Sequence, residues 1–121
     1  MIIGTGVDLI EIARVRKLLG HSKFLARVLT EKEREAFNLL TAEKRRTEFL
    51  AGRFAAKEAY SKARRTGIGG QLSFQDIEIL NEASGAPVLR EKGRAIDNVH
   101  LSITHTKDYA AAFVVIESSS G

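Results

Sequence analysis

Apolar and polar positions alternate from the first residues of the chain: Ile3, Thr5, Val7 and Leu9 fall on one side of an extended segment, Gly4, Gly6 and Asp8 on the other. A strand whose inner side is glycine is one that another element approaches closely, and Asp8 would point into that crowded side. From Ile12 to Leu19 apolar residues return at helical spacing, and Thr30 followed three residues later by Glu33 is a capping box opening a second helix. A long helix from about Thr41 to Arg65 comes next and stops before Thr66-Gly67-Ile68-Gly69-Gly70, a glycine-rich turn. Beyond it the period becomes two, in Asp76 to Leu80, Pro87 to Arg90, Leu101 to Thr104 and Ala112 to Ile116, which predicts four strands. Ser84-Gly85-Ala86-Pro87 suits a hairpin connection, and Arg90 to Asn98 a short helix or turn. The pattern predicts an α+β fold, helices packed on an antiparallel sheet, as a single domain over residues 1–117 with a disordered tail at 118–121.

Composition narrows this picture. With 121 residues and 44% hydrophobic content, one modest core is expected. The apolar run from Ala110 to Ile116 is far short of the roughly 20 residues needed to cross a bilayer. No basic, then apolar, leader opens the chain, so a soluble cytoplasmic protein without membrane contact is expected. The absence of cysteine excludes disulfides, thiolate nucleophiles and sulfur-ligated zinc, leaving oxygen or histidine ligands and favouring hard cations. Charge is uneven: residues 1–65 carry 15 Lys or Arg against 8 Asp or Glu. Between Ile12 and Val28, Arg14, Arg16, Lys17, Lys23 and Arg27 have no acid among them and alternate with Val15, Leu18, Leu19, Phe24 and Leu25. Such a surface attracts acidic proteins, phosphates or nucleic acid, or else only solubilises the chain.

The segment Gly52 to Lys62 carries the densest candidate chemistry. At about 3.6 residues per turn, Arg53, Lys57 and Ser61 form one helical stripe and Glu58 and Lys62 the next. Gly52, Ala56, Ala59, Tyr60 and Ala63 lie opposite, small enough for the most part to let the helix dock closely. The plain alternative is a solvated amphipathic helix with a Glu58–Lys62 pair. Asp8 and Glu58, each set among small residues, are the two carboxylates to pair, and a magnesium ion would compensate both. Otherwise Asp8 caps the helix beginning near Ile12, or both acids pair with lysines. Lys57, Lys62 and Ser61 beside such a metal would make an anion cradle. Gly4-Thr5-Gly6 is no dinucleotide fingerprint, because its third glycine position is Leu9. No nucleophilic triad can be argued from Ser61, which sits mid-helix in a chain with few histidines, and His105, ending a strand beside Thr106, is a candidate substrate contact.

On Gly6-Val7-Asp8-Leu9-Ile10-Glu11-Ile12 with Arg14, Phe49 through Ala63, Leu72-Ser73-Phe74 leading to Ile77-Glu78-Ile79, and Leu101-Ser102-Ile103-Thr104-His105 followed by Tyr109-Ala110, nearly the whole chain resembles one family. It is similar to the holo-acyl-carrier-protein synthases, the small bacterial type of the 4′-phosphopantetheinyl transferase superfamily. That resemblance implies the transferase fold and transfer of phosphopantetheine from coenzyme A to a serine of acyl carrier protein, releasing adenosine 3′,5′-bisphosphate in support of fatty acid biosynthesis. It implies Asp8 and Glu58 as ligands of magnesium, with manganese as the alternative ion, and Lys62 at the leaving phosphate. Lys57 and Ser61 would hold the pyrophosphate, Arg53 the 3′-phosphate, and Gly85 and Pro87 would lie near the adenine. It implies a homotrimer in which His105 and Thr106 reach the nucleotide from the adjacent chain, and it makes Arg14, Arg16, Lys17, Lys23 and Arg27 the docking surface for the acidic carrier.

One departure stands out. Where relatives have glycine after the long helix, this chain has Arg65 in Lys62-Ala63-Arg64-Arg65-Thr66-Gly67, so a later helix end and an altered coenzyme loop are expected. The competing functions are a basic nucleic-acid-binding module and an inactive phosphate-binding protein. The missing tryptophan and the lack of aromatics spaced for base stacking in the last two strands argue against nucleic acid.

Overall fold

Gly4 and Gly6 set the central packing. In the computed structural model, which describes residues 1–119, β1 (Ile2–Glu11) crosses α4 (Glu43–Ala63) with its glycine side inward. A Cβ at Gly4 would stand 2.2 Å from the Ala63 carbonyl oxygen, and one at Gly6 1.9 Å from that of Ala59. Only glycine permits such an approach, so the alternation in the sequence marks a strand laid on a helix backbone.

β1 pairs antiparallel with β6 (Tyr109–Glu117), which pairs with β5 (Val99–His105), giving the order β1-β6-β5. A second antiparallel sheet holds β2 (Ile77–Asn81), β3 (Pro87–Glu91) and β4 (Arg94–Ala95). The C-terminal half of α4 is enclosed between the sheets, with Ala55, Ala56, Ala59, Tyr60 and Ala63 in one cluster with Ile77, Ile79, Leu89, Ala112, Val114 and Ile116. Its N-terminal half is covered by α1 (Ile12–Arg16), α2 (Ser22–Val28) and α3 (Glu31–Leu39) through Val15, Val28, Leu29, Phe37 and Leu50. The expected α+β architecture is present, divided into two small sheets about one buried helix.

Local expectations resolve as follows. The capping box opens α3: Glu33 N–H donates to Thr30 Oγ1 (3.3 Å), and Thr30 N–H to Glu33 Oε1 (2.8 Å). The segment Arg90–Asn98 is not helical. Lys92 and Gly93, at φ 52° and 83°, form the two-residue turn of a β3–β4 hairpin, a geometry that needs positive φ at both positions. Helix α2 (Ser22–Val28) was not expected from the sequence: with seven residues it shows its helical spacing only in Phe24, Leu25 and Val28. Of the expected tail, Ser118 N–H donates to Met1 O (2.7 Å), while residues 120 and 121 lie outside the described residues.

The helix end is also corrected. α4 stops at Ala63 with Arg64 as C-cap, and Thr66 and Gly67 N–H both return to Ser61 O (3.1 Å). Arg65 itself takes the left-handed conformation, φ 63°, that glycine adopts without strain. The geometry is therefore kept at a cost. Arg65→Gly is expected to raise the unfolding free energy by about 0.5–1 kcal/mol, the left-handed strain less the extra freedom glycine gives the unfolded chain. Urea denaturation at matched protein concentration checks this; no gain would mean that Arg65 makes contacts worth as much as its strain.

Candidate active site

The site is built where β1 passes the last turns of α4. Asp8 follows Gly4 and Gly6 on the inner side of the strand, opposite Ala112, and its carboxylate is only 17% exposed. Lys62 Nζ donates to Asp8 Oδ1 (3.0 Å) and to Val7 O (3.0 Å). Asp8 is no helix cap: α1 has Glu11 as N-cap, and Ile12 N–H is taken by Asp108 O (2.8 Å). Glu58 lies one turn before Lys62. Burial pushes its carboxyl above the ordinary range, the charge of Asp8 pushes the same way, and Lys62 and Arg27 pull it back.

Both carboxylates line a cavity of about 360 Å³ whose apolar wall includes Ile10, Val15, Leu18, Phe24 and Phe54 and which Arg14 borders. Two hard oxygen donors that repel one another in a partly dry corner fit a divalent cation such as magnesium, which takes few protein ligands and leaves positions for water and phosphate. Among the described residues no group of three or more His, Cys, Asp or Glu gathers as a metal site.

The neighbouring stripe is corrected. Lys57 is fully buried, its Nζ donating to Val28 O (2.6 Å), Glu33 Oε1 (2.6 Å) and Phe74 O (3.0 Å). An ammonium with three donors has none left for a pyrophosphate. Ser61 is buried too, its Oγ donating to Glu58 O (2.7 Å). Arg53, 7% exposed, donates to Ile79 O (3.0 Å) and Asn81 Oδ1 (3.4 Å) and lies 4.3 Å from the Phe49 ring centre, which ties α4 to β2. Lys57 and Ser61 were expected in an anion cradle and Arg53 at the 3′-phosphate because they share one stripe at helical spacing; the elements that cover the stripe come from distant sequence.

His105 and Thr106 do not meet Asp8 and Glu58 within one chain. They line a separate cavity of about 760 Å³ with Ile12, Arg16, Glu43, Lys44, Glu48 and Lys107, and His105 Nε2 stands 3.6 Å from Glu48 Oε2. Gly85, at φ 91°, is in the β2–β3 hairpin, with its N–H donating to Glu82 O (2.8 Å), and Pro87 opens β3. Neither borders the carboxylate cavity. Arg14, Arg16, Lys17, Lys23 and Arg27 are all exposed; Arg27 lies 5.8 Å from the Phe74 ring centre, and Arg16 lies 3.6 Å from Glu43, so the run is less free of acid than the sequence suggests.

Other residues at the site were not singled out from sequence. Glu33 was visible only as a cap, yet it also holds Lys57 and, through Oε2, the Ile79 N–H (2.7 Å). Leu18, Phe24 and Phe54, which wall the cavity beside the carboxylates, read as ordinary core positions.

A βα framework carrying two facing carboxylates and a lysine at a shallow cavity is the equipment of a phosphoryl-group transferase. The 4′-phosphopantetheinyl transferase superfamily model matches residues 4–114, and the chain belongs to this superfamily. Within it, the chain is 55% identical over 121 residues to the holo-[acyl-carrier-protein] synthase of Bacillus velezensis, covering 99% of each protein. It is equally 55% identical over 121 residues to the synthase of Bacillus cereus. Among solved structures, the Bacillus anthracis holo-(acyl-carrier-protein) synthase in complex with CoA (3′,5′-ADP) superposes with TM-score 0.88 at 52% identity, covering 98% of this chain and 99% of that one. The Helicobacter pylori synthase in complex with coenzyme A gives TM-score 0.79 at 33% identity, covering 93% and 99%.

Proposed function

We propose that this chain transfers the 4′-phosphopantetheine arm of coenzyme A to a serine of apo acyl carrier protein. Adenosine 3′,5′-bisphosphate leaves, and the reaction depends on a divalent metal. The observation that carries the reading is the Asp8–Glu58 pair facing Lys62 at a cavity, within a chain that matches the synthases over its whole length.

In the reaction the serine oxygen of the carrier forms a bond to the phosphorus bearing pantetheine, and the bridging bond to the adenosine phosphate breaks. The nucleophile belongs to the partner. Asp8 and Glu58 would hold magnesium, which when bound supplies charge neutralisation on the pyrophosphate. Glu58, at the same cavity, accepts the serine proton. Lys62, half exposed and reaching over the same site, neutralises charge on the departing phosphate. Arg14, at the cavity edge, orients the acidic carrier together with Lys17, Lys23 and Arg27.

The working unit is a homotrimer in this reading. The outer face of the β1-β6-β5 sheet leaves Ile3, Val7, Leu9 and Phe113 exposed, with Val7 paired across to Phe113, an apolar patch that suits subunit packing. Assembly would also bring His105 and Thr106 of one chain to the carboxylate cavity of the next, where a single chain holds them apart. Sedimentation equilibrium should give three chain masses; a monomer that is fully active would reject the shared site. No helix among the described residues is long and apolar enough to cross a membrane, and the enzyme works on carrier protein in the cytoplasm, supporting fatty acid synthesis.

The test is the intact mass of an apo acyl carrier protein incubated with this protein, coenzyme A and magnesium. A gain of one phosphopantetheine arm, abolished by a chelator, is expected; no gain with a competent carrier would favour a phosphate- or nucleic-acid-binding role. For docking, Arg14→Glu should raise KM for the carrier by roughly tenfold, the effect of about 1.4 kcal/mol, while leaving KM for coenzyme A nearly unchanged. Added salt should shrink the difference. Equal changes in both constants would remove Arg14 from the docking surface.

A further inference from the structure

We propose that Lys62 competes with the metal for Asp8, acting as an internal counter-ion that the pyrophosphate of coenzyme A draws away, so that divalent metal and coenzyme bind with positive coupling. The inference rests on the reading of Asp8 and Glu58 as the metal ligands. Its physical basis is the position of one ammonium group. Lys62 Nζ is held at two points of β1, Asp8 Oδ1 and Val7 O, each at 3.0 Å. The Asp8 side chain is 17% exposed and that of Lys62 51%, so the pair has a sheltered anion and a half-exposed cation.

A dication on Asp8 and an ammonium on the same carboxylate weaken one another's hold, because like charges a few ångströms apart in a partly dry site repel. Lys62 shared between Asp8 and a phosphate neutralises each only in part. Its side chain has two stations, Asp8 before the coenzyme arrives and a phosphate oxygen afterwards. Without coenzyme, metal entry gives up the Lys62–Asp8 ion pair and leaves the ammonium only Val7 O and water. With coenzyme, the pyrophosphate offers Lys62 a new anionic partner and gives the metal further oxygen ligands. Thermodynamic linkage makes the effect reciprocal: metal strengthens coenzyme binding by the same factor as coenzyme strengthens metal binding.

The test measures Mn²⁺ binding to the full-length protein by the electron paramagnetic resonance signal of the free ion, first without coenzyme and then with saturating coenzyme A and no carrier. Lys62→Met is expected to bind Mn²⁺ roughly 5- to 150-fold more tightly than wild type in the absence of coenzyme, the span of ordinary coupling between ligands. Coenzyme A should then add less to its affinity than to that of wild type. Lys62→Arg, which keeps charge and reach, should restore weak binding without coenzyme. Arg27→Met is the charge control, since the Arg27 charge also reaches Glu58. An equal gain in Arg27→Met would show a general field effect and overturn the competition. Lys62→Met binding no tighter than wild type, or keeping the full coenzyme effect, would overturn it as well, while the ligand reading stands as long as Asp8→Asn weakens Mn²⁺ binding. If Asp8→Asn binds Mn²⁺ as wild type does, the ligand reading and the competition fall together.

Discussion

Glu58→Gln is expected to lower the rate of phosphopantetheine transfer by about 10²–10⁴-fold, the usual span for loss of a proton-transferring group, with the fold unimpaired. Gln keeps the shape and the hydrogen-bonding reach of the side chain but neither accepts a proton at neutral pH nor offers a charge to a cation. The stability change has a sign of its own. Burial, then the charge of Asp8, raise the Glu58 carboxyl above its ordinary value of 4.5, so the native state keeps this proton to higher pH than the unfolded chain does. The stability this gives is complete below the ordinary carboxylate range and is lost as pH rises through the raised value. Above that window the native charge is a burden, so in metal-free solution at neutral pH Glu58→Gln should be slightly more stable than wild type. Loss of transfer together with a held or raised melting temperature locates the defect in chemistry. Unchanged turnover would remove Glu58 from the reaction, and a collapse in stability would make it a structural residue.

The two carboxylates were legible in the sequence for a physical reason: a charge among glycines or alanines on an ordered element has few structural explanations. Asp8 follows Gly4 and Gly6, and the same close approach that demands those glycines carries Asp8 to α4. The stripe formed by Arg53, Lys57 and Ser61 misled because helical spacing says which residues share a face but not what covers that face. The cover comes from Val28, Glu33, Phe74 and Ile79, in four different elements or their connections. The same limit applies at Arg65. Glycine was the residue expected there, yet the Schellman-like return of Thr66 and Gly67 N–H to Ser61 O forms with arginine in the left-handed position. Backbone hydrogen bonds outweighed about 1–2 kcal/mol of local strain. The third strand of the second sheet follows from the Lys92-Gly93 turn, whose signal is a single glycine and is weaker than Asn-Gly.

Lys57→Met is expected to lower the unfolding free energy by about 3–5 kcal/mol, the cost of breaking a buried ion pair from one side. The site is more than a pair. Glu33 accepts from Lys57 and Thr30 N–H on one oxygen and from Ile79 N–H on the other, while Lys57 also serves the carbonyls of Val28 and Phe74. Methionine fills nearly the same space, so the loss is electrostatic: a carboxylate and two carbonyls are left in a dry interior with fewer donors. Burial holds the Lys57 ammonium below its ordinary range and Glu33 opposes that, which means the intact node need not add much net stability while half of it is costly. An apolar double replacement of Lys57 and Glu33 would not restore the loss, because Thr30 and Ile79 N–H would then lack acceptors. Kinetics separate this role from phosphate binding. At low temperature, where Lys57→Met remains folded, KM for coenzyme A should match wild type and the rate should follow the folded fraction read by circular dichroism. A Lys57→Met protein of wild-type stability with a raised KM for coenzyme A would reverse the assignment and put this ammonium at the pyrophosphate after all.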